Sequence, residues 1–144
     1  MKRISLTAAM AAACTLVMTG CQENMESQII GTYEHPDLPG QTFEFGEGGK
    51  YTNTAKAGAL DCTVRCPGTW EVDGDSLIIV QESDKTTYEF GDSVTETTKA
   101  FVKKMLEESA KNEPARMAFK IEGVDTTAIS LGAKDRIITY QRVE

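Results

Sequence analysis

The chain has 144 residues, with 15 Lys plus Arg against 22 Asp plus Glu and a net charge of −7 at pH 7. That size suits one domain. The acidic balance speaks against a nucleic-acid partner, because phosphate recognition needs a basic surface, and against electrostatic docking on anionic lipid.

Lys2 and Arg3 precede a run of apolar and small residues from Ile4 to Val17. The run is about fourteen residues long, short of the roughly twenty that span a bilayer. Positive start, apolar middle and small end match a secretory signal peptide. Met18-Thr19-Gly20-Cys21 then resembles the lipobox of bacterial lipoproteins. The resemblance implies removal of residues 1–20 and lipid on Cys21, which anchors the protein because each buried CH2 contributes about 0.8 kcal/mol. Gln22 stands where Asp favours inner-membrane retention in enterobacteria, so the expected location is the cell envelope, at the outer membrane. Residues 21–28 read as lipidated cysteine and polar tether, and 29–144 as the folded domain. Residues 1–20 carry two basic residues and no acid, so the mature part has a net charge of about −9. No second long apolar segment and no internal repeat follow.

From Ile29 the chain reads as short strands between turn residues. Residues 29–34 come first, broken by Pro36, Pro39 and Gly40. Residues 41–45 alternate, with Phe43 and Phe45 on one face. Gly46-Glu47-Gly48-Gly49 makes a turn into residues 50–54. Residues 55–67, which hold Cys62 and Cys66, read as a loop. Trp70 and Val72 share a face, Asp73-Gly74-Asp75 signals a hairpin, and residues 77–80 return. Residues 86–90 form another strand.

Residues 93–111 change period. Ser93 and Glu96 fit a capping box, and Val94, Phe101, Val102, Met105 and Leu106 recur at helical spacing. This predicts one amphipathic helix whose stripe covers part of the sheet. Strands resume at 115–122, 126–131 and 136–142. The fold class is therefore mainly β, an antiparallel up-and-down barrel of about eight strands with one helix. An open half-barrel closed by the helix is the rival.

The segments "GTYEHPDLPGQTFEFGEGGKYTN", "GTWEVDGDSLIIV" and "ITYQRV" resemble the lipocalin-like, or calycin-like, small barrels of bacterial lipoproteins. In lipocalins a Gly-x-Trp opens the first strand, and a basic residue from a late strand packs over the indole. The match here is Gly31-Thr32-Tyr33, with Tyr in place of Trp, and Arg142 as the late basic residue. Gly68-Thr69-Trp70 falls mid-chain, and three strands follow the helix rather than one.

With Cys21 lipidated and Cys14 removed, Cys62 and Cys66 are left in an exported chain, where disulfides persist. A Cys62–Cys66 staple is the leading expectation, and a soft cation on two thiolates the alternative. His35 is the one histidine and reads as a solvated loop residue. Asp73 and Asp75 read as turn formers. No catalytic set and no metal or cofactor site emerges, so the reading is non-enzymatic. Phe43, Phe45, Trp70 and Tyr88 are the candidate ligand-binding residues, since small barrels either fill their interior or hold one small ligand. Two functions remain: a lipid-anchored binding module for a small apolar or amphipathic ligand, or an envelope interaction protein with a filled barrel.

Overall fold

The computed structural model describes residues 25–143. The signal segment and Cys21 lie outside the described residues. Nine strands run in chain order: Gly31–Glu34 (β1), Gln41–Gly46 (β2), Lys50–Ala57 (β3), Cys62–Asp73 (β4), Ser76–Gln81 (β5), Thr87–Phe90 (β6), Arg116–Val124 (β7), Ala128–Ala133 (β8) and Arg136–Val143 (β9). A helix, Glu96–Ala110, separates β6 from β7.

All neighbouring strands are antiparallel, and glycines set two of the tight turns. Gly48 and Gly49 take φ of 75° and 78° in the β2–β3 turn, and Gly74 takes 65° in the β4–β5 turn. These are left-handed conformations that favour glycine. The sheet closes on itself because β3 pairs with β4 while β1 pairs with β9. Eight strands thus form a barrel, and β6 is an added strand on β4. The closed barrel is the expected one, not its half-barrel rival, and no sheet edge is left open around the ring.

Strand β4 corrects the expected loop at 55–67. It pairs with β3 along residues 62–69, so the cysteine segment is a central strand. Its other edge is shared: residues 62–65 meet β6 and residues 68–73 meet β5. Pro67 stands at the changeover, where its carbonyl accepts from Glu82 N (2.8 Å) and a missing N–H costs no ladder bond. At Gly68 any Cβ would collide with the Val80 carbonyl oxygen, so glycine lets β4 and β5 close up there.

The helix also differs from expectation. Thr95, not Ser93, is the N-cap, and its hydroxyl accepts from Thr98 N at 3.2 Å. Ser93 sits in the preceding turn, where Val94 N donates to Gly91 O. The apolar stripe splits. Val102 is 1% exposed, whereas Phe101 and Met105 are 66% and 42% exposed. One edge of the helix is buried at Val102, with Lys103 Nζ over the Tyr88 ring of β6, and the other faces water. Among the described residues no helix is long and apolar enough to cross a membrane.

One end of the barrel is sealed. Residues 25–29 are helical rather than an extended tether, and Ile29 is fully buried. The Tyr33 hydroxyl donates to Ile29 O at 2.8 Å. Arg142, registered opposite Tyr33, lays its guanidinium over the phenol ring at 4.8 Å. The same guanidinium donates to the carbonyls of Ile30 and Gln28, both at 2.7 Å, and of Asp125 at 3.1 Å. Gly31, with φ of 151°, lies directly against it, and a Cβ there would collide with Arg142 Nη1. The first-strand Gly-x-Tyr and late-strand Arg therefore meet as a lipocalin-type pair would.

Hydrogen bonds from a charged donor contribute about 1.5–3 kcal/mol each before solvent screening. Arg142→Ala should therefore cost about 2 kcal/mol or more in urea unfolding, and Arg142→Lys most of that, since an ammonium cannot reproduce the planar fork. An unchanged urea midpoint in both variants would contradict this account of the seal.

Candidate functional site

Inward-facing residues alternate along each strand, and the opposite end of the barrel from Arg142 is open. A cavity of about 290 Å3 runs in from that mouth. Its buried apolar lining consists of Tyr33, Phe45, Tyr51, Ile79, Ile129 and Leu131. Half-buried Phe43, Met117, Phe119 and Tyr140 form the flanks, and exposed Leu38, Glu113 and Pro114 form the lip.

The aromatic lining is a continuous chain of ring contacts. His35 meets Tyr140 edge-on at 5.4 Å, and Tyr140 meets Phe43 edge-on at 5.4 Å. Phe43 stacks on Tyr51 at 6.5 Å, and Tyr51 meets Phe45 at 5.5 Å. Phe45 then contacts Tyr33 at 5.8 Å and Trp70 at 5.5 Å. Rings in such offset and T-shaped contacts hold one another upright against the wall, each pair contributing about 0.5–1.5 kcal/mol beyond area burial. The walls are thus stiff, and the middle stays open.

One wall is polar. Gln41 Nε2 donates to Asn53 Oδ1 at 3.4 Å, and Asn53 Nδ2 donates to Gln81 Oε1 at 3.5 Å. Gln81 is 8% exposed. These three carboxamides stand side by side on β2, β3 and β5 near the mouth. Both bonds are at the long limit for hydrogen bonding, so the amides are weakly committed to one another.

Among the sequence candidates, Phe43 and Phe45 line the cavity. Trp70 does not. It is buried in the sealed half, where its indole N–H donates to Gly46 O at 2.9 Å. Tyr88 does not either, because it lies on β6, outside the ring, with Lys103 Nζ over its face at 5.8 Å. The carboxamides went unnoticed in the sequence. The available signal was parity: Gln81 shares the inward face with Leu77 and Ile79, where a third apolar residue would be usual.

The expected Cys62–Cys66 disulfide is absent, and both cysteines are free. The reason is geometric. Both lie on β4, so four residues of strand separate their Cα atoms by roughly 13 Å. A disulfide needs about 4.4–6.8 Å. Two thiols that far apart cannot share one cation either. Cys62 is buried, which pushes its thiol pKa up. Cys21 lies outside the described residues. Among the described residues no group of three His, Cys, Asp or Glu side chains converges on a metal-sized site.

Neither a protein-family model nor a curated protein matches the sequence. Solved structures do match in fold. A lipocalin-like protein from Bacteroides uniformis ATCC 8492 superposes with a TM-score of 0.56 at 9% identity, covering 81% of this chain and 99% of that one. An uncharacterized protein from Bacteroides eggerthii DSM 20697 gives 0.55 at 13% identity, covering 80% and 99%. At these identities the likeness establishes the fold alone: a lipocalin-like barrel with one added strand and one helix.

Burial also holds the phenols of Tyr33, Tyr51 and Tyr140 above the usual value of about 10. For Tyr33 the Arg142 charge opposes that shift. A raised folded-state pKa means the unfolded chain loses these protons first. The stability they add is full below pH 10 and falls as pH rises above it. Tyrosinate absorbance at 295 nm should therefore lag behind that of free tyrosine above pH 10 and rise when the barrel unfolds. Complete ionisation of a still-folded barrel at the free-tyrosine midpoint would contradict the burial described.

Proposed function

We propose that this protein is a lipid-anchored, non-enzymatic binding module that holds one small apolar or amphipathic molecule in its barrel. The observation that carries the reading is the cavity. It is aromatic-walled, open at one end and sealed at the other, and its 290 Å3 lies just below the ~300–1,000 Å3 usual for small-molecule sites. A few polar groups on an otherwise apolar wall are the usual composition of such a pocket. The lipocalin-like fold supports the same reading, as barrels of eight strands are just wide enough to hold one small ligand.

The anchor belongs to the proposal through the lipobox resemblance. Residues 25–29 pack at the sealed end, a few residues after Cys21. A lipid there keeps the sealed end near the bilayer, because so short a stretch reaches no more than about 3.6 Å per residue. The mouth then points away from the bilayer, toward dissolved ligand. Exposed Phe101 and Met105 favour a second reading, an envelope interaction protein. That reading called for a filled barrel, and the open cavity counts against it.

N-phenyl-1-naphthylamine is an uncharged fluorescent probe of apolar sites. It should bind saturably at one site per chain. Met117→Trp, which fills the flank of the cavity, should weaken that binding at least tenfold while the barrel stays folded by circular dichroism. Non-saturable binding, or an unaffected variant, would remove the ligand-binding reading. Separately, Cys21→Ser should shift the protein from the membrane to the soluble fraction and remove the acyl mass. A variant that stays in the membrane would rule out the anchor.

A further inference from the structure

We propose that the cavity selects by charge: it takes an uncharged, ring-bearing molecule whose hydrogen-bonding end meets Gln41, Asn53 and Gln81, and it rejects the same molecule with an anionic end. This rests on the ligand-binding reading and names the ligand chemistry. The first argument is the missing counter-charge. Among the described residues that line the cavity there is no Lys or Arg. An anion drawn inside would lose its water and find no Lys or Arg side chain in the lining to pair with, and an unpaired buried charge is the most costly group to desolvate.

The rim does not correct this. Glu113 stands on the lip, exposed, and adds a charge of the wrong sign for an anion. Two cations outside the lining act on lining residues: Arg142 on Tyr33, with its guanidinium already donating to three backbone carbonyls, and Arg136 on Tyr140, exposed where water screens it. The acidic balance of the whole chain, −7, further lowers the local concentration of anions.

The second argument is the row of carboxamides. Each amide carries two N–H donors and an oxygen with two lone pairs, far more capacity than the two long bonds at 3.4 and 3.5 Å use. Gln81 is the decisive member. It is buried, its Oε1 accepts from Asn53, and its N–H pair is left for a group in the cavity. A carbonyl on the ligand can accept from Gln81, and a hydroxyl or primary amide can also donate to the Gln41 oxygen. A purely apolar ligand leaves these groups unanswered, and the loss of a hydrogen-bonding partner in a buried site discriminates strongly. Below the amides the stacked and tilted rings of Phe43, Tyr51 and Phe45 offer aromatic surface to a planar body.

Three probes separate these terms on the soluble protein carrying Cys21→Ser: naphthalene, 1-naphthaleneacetamide and 1-naphthaleneacetate, titrated at pH 8 by calorimetry. The acetamide should bind at least tenfold tighter than the acetate and tighter than naphthalene. Gln81→Leu should weaken the acetamide at least fivefold and tighten naphthalene, which then no longer leaves a buried amide unanswered. Gln41→Arg, at a half-buried position where a long side chain reaches the cavity from the mouth, should bring the acetate to within about threefold of the acetamide. If naphthalene binds but the acetate equals or exceeds the acetamide in the unsubstituted cavity, charge selection is overturned and the binding function stands. If none of the three binds, the ligand-binding reading itself fails and takes this inference with it.

Discussion

The guanidinium of Arg142 turns a tube into a cup. A closed eight-strand ring has two ends, and an apolar interior open at both would be flooded or would collapse. Here one side chain spans the lower end. It covers the Tyr33 ring and ties the carbonyls of Gln28, Ile30 and Asp125 to one plane. Because two of those carbonyls belong to the incoming chain, the same contacts that seal the floor also bring residues 25–29 beneath it. Gly31 is the condition for this arrangement, since any side chain there would occupy the space of the guanidinium. Arg142 Nε remains buried without a hydrogen-bond partner, a cost accepted for the three carbonyl contacts.

A sealed floor does not by itself leave a cavity. Small barrels usually close their centre with branched aliphatic side chains. In this chain the aliphatics concentrate on β5 and β8, as Leu77, Ile79, Ile129 and Leu131, while β2, β3 and β9 contribute Phe43, Phe45, Tyr51 and Tyr140. Aromatic rings spend their area on neighbouring rings along the wall instead of reaching across. Tyr51 is 2% exposed although it borders open space, because Phe43 and Phe45 flank it. The hollow is a consequence of which strands carry rings.

Much of the fold was legible because alternation and turn chemistry agree. Phe43 with Phe45, and Met117, Phe119 and Ile121, mark inward faces at period two, and Asp73-Gly74 marks a hairpin. The segment 55–67 was not legible. It holds three Ala, one Gly and one Pro, poor strand formers, and its pairing is decided by β3 on one edge and a change of partner on the other. Pro67 and Gly68 look like breakers until that change of partner is known. The two cysteines failed as a staple for the same reason: spacing in sequence says nothing of distance until the backbone is known to be extended. The site was half legible. Phe43 and Phe45 could be read from their alternation. Tyr88 could not be told from them, because only the pairing of β6 with β4 reveals that it lies outside the ring. Gln41, Asn53 and Gln81 are scattered in sequence and converge only through barrel closure.

The insertion between β5 and β7 explains why the cup and the rest of the surface can differ so much in character. β6 and the helix Glu96–Ala110 stand outside the closed ring, and Val102 is the one buried residue of that helix. Their ion pairs, such as Arg65–Glu89 and Lys99–Glu96, are exposed and contribute little. The barrel ladder runs from β5 directly to β7 and does not need the insertion to close. A change in the helix therefore need not disturb the floor or the aromatic walls. What the insertion does fix is the lip, because Glu113 and Pro114 leave the helix directly into β7 and border the mouth. The entrance of the cup is thus set by the least embedded part of the chain, and its interior by the most embedded.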